Sequence, residues 1–240
     1  MTSTGKIFLV PTPIGNLEDL TSRALKTLTE VDLVACEDTR HTGQLLSRLN
    51  IKKKLISYHE HNEHERANEL VSRAKEGLSI AIVSDAGSPG ISDPGFRVVR
   101  AAIENEIQIV PLPGANSIIP ALSASGLPTD RFFFEGYLSH KSSARLRRLE
   151  QLKDFPHTLV FFESPFRIAK SLNDMLSVFG PRQASVAREI SKIHEEFIRG
   201  SLDIIVKICS SRNIKGEIVV VVAGTSFTDK FGTENNEQTE

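Results

Sequence analysis

Short apolar runs alternate along the chain with stretches whose apolar residues return every three or four positions. The runs Ile7–Val10, Val31–Cys36, Leu55–Tyr58, Ser79–Val83 and Ile107–Leu112 read as strands. The periodic stretches between them read as helices: one carries Leu25 and Leu28, one spans Arg66–Glu76, and one places Phe96, Val99 and Ile103 on a single face. This alternation predicts a parallel sheet in an α/β domain. Pro11 and Pro13, with Gly15 and Asn16, stop the first run, and Asp19 or Thr21 suits the cap of the first helix. Asp93 and Pro94 suit the cap and first position of the helix through Ile103. Asn116 or Ser117 suits the cap of a further helix, which tolerates Pro120 only in its first turn.

Beyond Ser125–Thr129, where Ser, Gly and Pro cluster, the pattern starts afresh. That cluster is read as a hinge between an N-terminal α/β domain, residues 1–124, and a C-terminal one, residues 125–227. In the second half, Phe132–Phe134, Thr158–Phe162, Ala184–Ala187 and the GEIVVVVAG segment read as strands. Lys141–Leu152 and Pro165–Val178 read as helices, and HEEFIRGSL as an antiparallel strand leading into another. Residues 228–240 are polar and acidic without periodicity, and a disordered tail is expected there.

Length allows one large or two modest domains, since 240 residues exceed a typical single domain. With 40% hydrophobic and 25% charged residues the composition is that of an ordinary globular chain. The net charge of -1 changes the picture more, because a nucleic-acid partner must then be met by a local basic patch. Cys36 and Cys209 have no neighbour at metal-ligand or redox spacing, so buried free thiols and a reducing, cytoplasmic setting are expected. Ile7–Val10 is too short for a signal-peptide core or a membrane span. Neither GxGxxG nor GxxxxGK[ST] occurs, which argues against a dinucleotide enzyme or a P-loop NTPase.

The chemistry-bearing residues gather where strands end. Ser84–Gly95, SDAGSPGISDPG, places Asp85 at a strand's carboxyl end and follows it with Gly87, Pro89 and Gly90, a backbone able to lie against a ligand. A second glycine loop at Gly114 opens on the same expected sheet edge, and the coincidence points to a ligand cleft. Glu37 and Asp38 follow another strand, where they either orient a substrate hydroxyl or, as Asp38 or Thr39, cap a helix. His59, His61 and His64 lie in HEHNEHE, which lacks a second ligand block, so no metal is assigned and a polar or cleft-lining loop is read. Arg145, Arg147 and Arg148 form the one strongly basic segment, read either as a phosphate-binding or as a solvated helix face.

The segments VPTPIGNLEDLT, ACEDTR, YHEHNE, SDAGSPGISDPG, PLPGANSIIPALSASGLP, FFESPFRI, REISKIHEE and KGEIVVVVAG occur in this order. Together they resemble the bacterial small-subunit ribosomal RNA cytidine 2'-O-methyltransferases of the tetrapyrrole methylase superfamily, from Lys6 to about Gly224. The resemblance implies two α/β domains with S-adenosylmethionine in a cleft between them, a homodimer, and methylation of a ribose hydroxyl at the decoding centre. It implies that Asp85, Ala86, Gly87, Ser88, Pro89, Ile91 and Ser92 form the cofactor loop, with Asp85 an anchor rather than a catalytic acid. Pro13, Asn116 and Ser117 join the cofactor set, and Phe162 and Glu163 close the cleft from the second domain. Many members of that family carry an extra helical segment where this sequence has an acidic tail after Phe227, so a grip on RNA without that segment is expected.

Methyl transfer from a sulfonium is an in-line displacement in which positioning dominates and a base assists loss of the hydroxyl proton. Glu37, Asp38, His59 and Glu163 are the unranked base candidates. Arg40, Arg145, Arg147, Arg148 and Arg188 are the expected contacts to RNA phosphates. The implied partners are small-subunit ribosomal RNA, or the small subunit, and a second copy of the chain, with no membrane. The alternatives are a methyltransferase of a tetrapyrrole or other small molecule on the same fold, and a ribosome assembly factor without catalysis.

Overall fold

The computed structural model describes residues 4–228, so the tail expected over residues 228–240 lies, from residue 229 on, outside the described residues. The chain divides into two compact units, Met1–Ser117 and Ile118–Glu240.

In the first unit five strands, β1 (Lys6–Leu9), β2 (Leu33–Cys36), β3 (Lys54–Ser57), β4 (Ile80–Val83) and β5 (Gln108–Pro111), form a sheet in the order β3-β2-β4-β1-β5. Every pairing is parallel; Leu33, Ile80, Ile7 and Ile109 stand in register across it. Helices α1 (Ser22–Glu30), α2 (Thr39–Arg48), α3 (Glu63–Lys75) and α4 (Phe96–Glu104) return the chain between strands. Successive strand residues point to opposite faces, and both faces are covered. Ile7, Leu33, Ile80 and Ile82 pack with Leu70 and Ala74 of α3 and Val98 and Ala102 of α4. Val34, Cys36, Ala81 and Val83 pack with Ala24 and Leu28 of α1 and Leu46 of α2. Because all five strands run the same way, their carboxyl ends share one edge.

Two helical expectations are corrected. The helix at Asp93–Pro94 opens instead at Phe96 with Gly95 in the cap position, leaving Asp93 in the preceding loop. Its buried face is Val98 and Ala102, while Phe96 and Ile103 are 74% and 60% exposed. The apolar residues form two stripes with the same helical spacing, and the Tyr58 hydroxyl, which accepts the Val98 N–H at 3.2 Å, fixes which one faces inward. In α1, similarly, Leu28 is buried but Leu25 is half-exposed, and Thr21 rather than Asp19 caps the helix, its Oγ1 accepting from Ala24 N at 3.0 Å.

The second unit contains α5 (Ile118–Ser123), β6 (Phe132–Tyr137), α6 (Ser142–Leu152), β7 (Thr158–Glu163), α7 (Ile168–Phe179), β8 (Gln183–Arg188), β9 (Glu196–Ser201), α8 (Leu202–Ser211) and β10 (Ile218–Val222). Its sheet, ordered β6-β7-β10-β8-β9, is mixed: β6 and β7 are parallel and the remaining pairs antiparallel. Leu149, Leu152, Leu172, Met175, Leu202 and Ile205 of α6, α7 and α8 cover Leu159, Phe161, Val186 and Val220 on one face. The division after Ser117 precedes the hinge expected at Ser125–Thr129, because α5 packs on β10 and goes with the second sheet. The helix expected from Pro165 starts at Ile168, after a turn closed by Arg167 N donating to Ser164 O at 3.0 Å. Cys36 and Cys209 are buried free thiols, and among the described residues no helix is long and apolar enough to cross a membrane.

Candidate active site

At the carboxyl edge of the first sheet, the loops after β1, β4 and β5 are joined by their own polar groups. Thr12 Oγ1 donates to Ser84 O at 3.0 Å, Ser84 Oγ donates to Gly87 O at 3.0 Å, and Ser88 Oγ donates to Ala115 O at 3.3 Å. Thr12 and Gly87 also pair through their backbones. Gly87 has φ +85°, a left-handed conformation that a side chain disfavours, and Cβ at Gly114 would meet Pro11 Cβ at 2.7 Å. The result is a pre-formed rim on which Ala86, Ile91 and Ser92 are exposed while Gly87 and Pro89 are buried. Ser92, with φ +61°, is a non-glycine residue held left-handed on that rim. Pro13, Asn116 and Ser117 are half-buried in the flanking loops, and Asn116 Nδ2 approaches Gly114 O at 3.5 Å.

Carboxylates crowd the same edge. Asp85 Oδ1 accepts the Asp38 N–H at 3.2 Å. Burial and then the neighbouring Asp85 push the Glu37 carboxyl above its ordinary value. Asp93 is pushed up to about 6, by burial first and then by Glu37 and Asp85, with the polar contact to Ser84 acting in the opposite direction. Asp93 thus titrates close to neutrality, where a proton acceptor is effective, and Glu37 is shifted in the same direction by the same acidic field. This edge supplies acceptors and negative charge; it suits a ligand bearing hydroxyls, an amino group or a positive charge and disfavours polyphosphate.

The remaining base candidates are placed differently. Asp38 is the N-cap of α2, accepting from Arg40 N at 2.7 Å and His41 N at 3.4 Å, and these bonds hold its carboxyl below its ordinary range. His59 is set by Asn62: the His59 N–H donates to Asn62 Oδ1 at 2.9 Å, so Asn62 Nδ2 faces His59 Nε2, 3.2 Å away, as donor. The ring proton then belongs on Nδ1, which is buried without a partner, and the lone pair on Nε2 is engaged. Glu163 is in the second unit, its side chain fully sealed, with Oε1 accepting from Ser164 N at 2.7 Å and from Arg167 at 2.7 Å. It is a buried ion-pair partner, not an accessible base.

The expected basic face is also corrected. Arg145 is 3% exposed and bound to Asp174 at 2.6 Å and to Ser139 O at 3.0 Å, so it holds α6 to α7 and has no reach to RNA. Arg148 grips both oxygens of Glu135 at 2.7 Å. Arg188 donates to Lys215 O at 3.0 Å and pairs with Glu196 at 3.3 Å. Arg147 is exposed, and Arg40 is exposed beside Asp38 at 3.3 Å. Phe162 is half-buried in the second unit, edge-on to Phe134 with centroids 4.9 Å apart and tilted on Tyr137 at 5.4 Å.

The family model of the tetrapyrrole (corrin/porphyrin) methylases matches residues 6–205. The chain belongs to the tetrapyrrole methylase family. Among curated relatives, "Ribosomal RNA small subunit methyltransferase I" of Halalkalibacterium halodurans is 48% identical over 220 residues, covering 92% of this chain and 76% of the relative. The protein of the same name from Synechocystis is 47% identical, covering 96% and 84%. Among solved structures, a uroporphyrin-III C-methyltransferase from Thermus thermophilus, complexed with S-adenosyl homocysteine, aligns with TM-score 0.63 at 20% identity over 92% of this chain and 98% of that one. Diphthine synthase aligns with TM-score 0.70 at 15% identity over 92% and 90%. At such identities the structural matches establish the tetrapyrrole methylase fold for both α/β units.

Asp93 is the residue that sequence reasoning placed wrongly. Asp-Pro before an apolar helical stripe reads as a cap, but Gly95 takes that position and frees the carboxylate for the edge. The signal available was a second carboxylate, Asp93, in the same loop as Asp85, with Glu37 directly after another expected strand.

Proposed function

We propose that this tetrapyrrole methylase uses S-adenosylmethionine to methylate the ribose 2'-oxygen of a cytidine in the decoding centre of small-subunit ribosomal RNA. Support for the RNA substrate comes from the relatives named ribosomal RNA small subunit methyltransferase I, at 47–48% identity over nearly the whole chain. The observation that carries the chemistry is the Thr12–Ser84–Gly87 rim beside the carboxylates Glu37, Asp85 and Asp93.

These residues fit the cofactor. Gly87 presents backbone without a side chain, Asp85 offers a carboxylate to hydroxyl or amino donors, and the acidic field is complementary to a sulfonium. The cofactor supplies an activated methyl group, so no covalent nucleophile is needed. Asp85 through Ser92 would hold it together with Pro13, Asn116 and Ser117. Asp93, whose affinity for a proton is raised by burial and then by Glu37 and Asp85, accepts the ribose proton, with Glu37 beside it in the same acidic field. The protein acts as a homodimer in the cytoplasm, where its ribosomal substrate is assembled.

The test is incubation with labelled S-adenosylmethionine and small subunits from cells lacking the activity, followed by nuclease mapping. Label on a cytidine ribose in the decoding centre supports the reading, and label confined to a base or absent contradicts it.

A further inference from the structure

We infer that the carboxyl edge of β6 and β7 is a single-stranded RNA platform, on which Tyr137 and Phe166 stack bases while His140, Lys141 and Lys170 meet the backbone. The inference deepens the proposed function and rests on it for the identity of the nucleic acid.

β6 is an edge strand, and it ends on Tyr137, 60% exposed and packed on Phe162, which is itself edge-on to Phe134. β7, parallel to β6, ends at the same side and leads into the turn carrying Phe166, 93% exposed. Arg167 fixes that turn beside the end of β6 by donating to Leu138 O at 3.2 Å while pairing with Glu163. Two aromatic rings are therefore held at one edge on a stiff base. Water is a poor environment for both, and neither is needed by the core.

The carboxylates of β6, β7 and α7 are each ion-paired, Glu135 with Arg148, Glu163 with Arg167 and Asp174 with Arg145, while on the far side of β7, at the start of β10, Glu217 shares Lys192 with Glu189. His140 and Lys141 in the loop after β6, and Lys170 in the first turn of α7, are exposed, and none of the three is ion-paired among the described residues. Ser142 Oγ bonds Asp174 at 3.2 Å, which brings the start of α6 alongside α7, and Lys170 lies one turn before Asp174. Exposed aromatics flanked by uncompensated cations are what an unpaired strand requires: every base has a face to stack, and the phosphates need positive charge. A chain of net charge -1 can collect RNA only through such a local patch.

The test uses small subunits lacking the methyl group for turnover and a labelled single-stranded RNA oligonucleotide for binding. Tyr137→Ala and Phe166→Ala each weaken oligonucleotide binding and raise KM for subunits about tenfold, with S-adenosylmethionine affinity unchanged by calorimetry. Phe166→Tyr retains wild-type values, because either aromatic ring stacks. The paired change Lys141→Ala with Lys170→Ala leaves the fold intact and reduces the salt dependence of binding by about two charges. Folded alanine variants with unchanged RNA binding overturn the inference. So does a loss of cofactor affinity in place of RNA affinity, or a loss of self-association by sedimentation, which would make the edge a cofactor wall or a subunit contact. Failure of the wild-type protein to methylate subunits contradicts the proposed function alone, since oligonucleotide binding still reports on the edge.

Discussion

Thr12 and Gly87 exchange both backbone hydrogen bonds, Thr12 N to Gly87 O at 2.9 Å and Gly87 N to Thr12 O at 3.0 Å. This antiparallel bridge ties the loop after β1 to the loop after β4, although their strands run parallel. With the Thr12 and Ser84 hydroxyls each spent on a carbonyl of the same loop, the rim is organised before any ligand arrives. Pre-organisation of this kind reduces the ordering cost of binding.

Gly87→Ala forces a side chain into φ +85°. The strain costs about 1–2 kcal/mol, and relaxation breaks the bridge to Thr12. S-adenosylmethionine binding measured by calorimetry is expected to weaken by about tenfold, while the second unit, which does not include the loop, unfolds as before.

Asp93 gives a pH signature of defined sign. Its carboxyl titrates at about 6 in the folded chain against an ordinary 3.8, so folding favours its protonated form. Its contribution to stability is complete below about pH 4 and is lost as pH rises through about 6. Asp93→Asn, which removes the ionisation, should therefore stabilise the protein at pH 7.5 by about 1–2 kcal/mol, after allowance for solvent screening, and have little effect at pH 4. Urea unfolding at the two pH values checks this. The same substitution should lower kcat on the order of 100-fold and remove the rise in methyl transfer through about pH 6.

Arg167→Ala leaves the sealed Glu163 carboxylate without its cation. Stranding a buried charge costs about 3–5 kcal/mol, read as a lower urea midpoint. Replacing both residues by Met removes charge and countercharge together and should recover most of the loss. Because Glu163 is not the proton acceptor, that double variant retains kcat within a few fold; a loss comparable to that of Asp93→Asn would return Glu163 to the catalytic set.

Arg145 and Arg147, two residues apart, should behave oppositely. Arg145→Ala strands Asp174 and opens the α6–α7 contact, with a stability loss of about 3 kcal/mol. Arg147→Ala, at an exposed position, should change stability by less than about 0.5 kcal/mol. Thermal unfolding of the two variants distinguishes a structural arginine from a surface one.

Periodicity made most of the architecture readable. The fully buried strands Ile80–Val83 and Ile218–Val222 announce themselves as unbroken apolar runs bounded by polar turns. Where the reading failed, two local solutions competed and a distant contact chose between them. Phe96–Val99–Ile103 and Val98–Ala102 both satisfy a helical face, and Tyr58, forty positions away in the sequence, selects the second. The site was readable as a set of strand-end loops but not as an inventory of roles. Nothing local tells whether an arginine meets solvent, as Arg147 does, or is buried against a half-buried Asp174, as Arg145 is. Asp38 and Glu37 are adjacent, yet one is consumed by the N-terminus of α2 and the other is left in the acidic field, a difference set by backbone direction after β2.

The most direct test of the central claim is ribose-methylation mapping of small-subunit RNA treated with the wild-type protein, with Gly87→Ala and with Asp93→Asn, at saturating S-adenosylmethionine. A single cytidine 2'-O-methyl mark in the decoding centre is expected with the wild type; it should persist with Gly87→Ala once cofactor is saturating and fall sharply with Asp93→Asn. A mark on a base, no mark from the wild type, or an undiminished mark from Asp93→Asn would contradict the account.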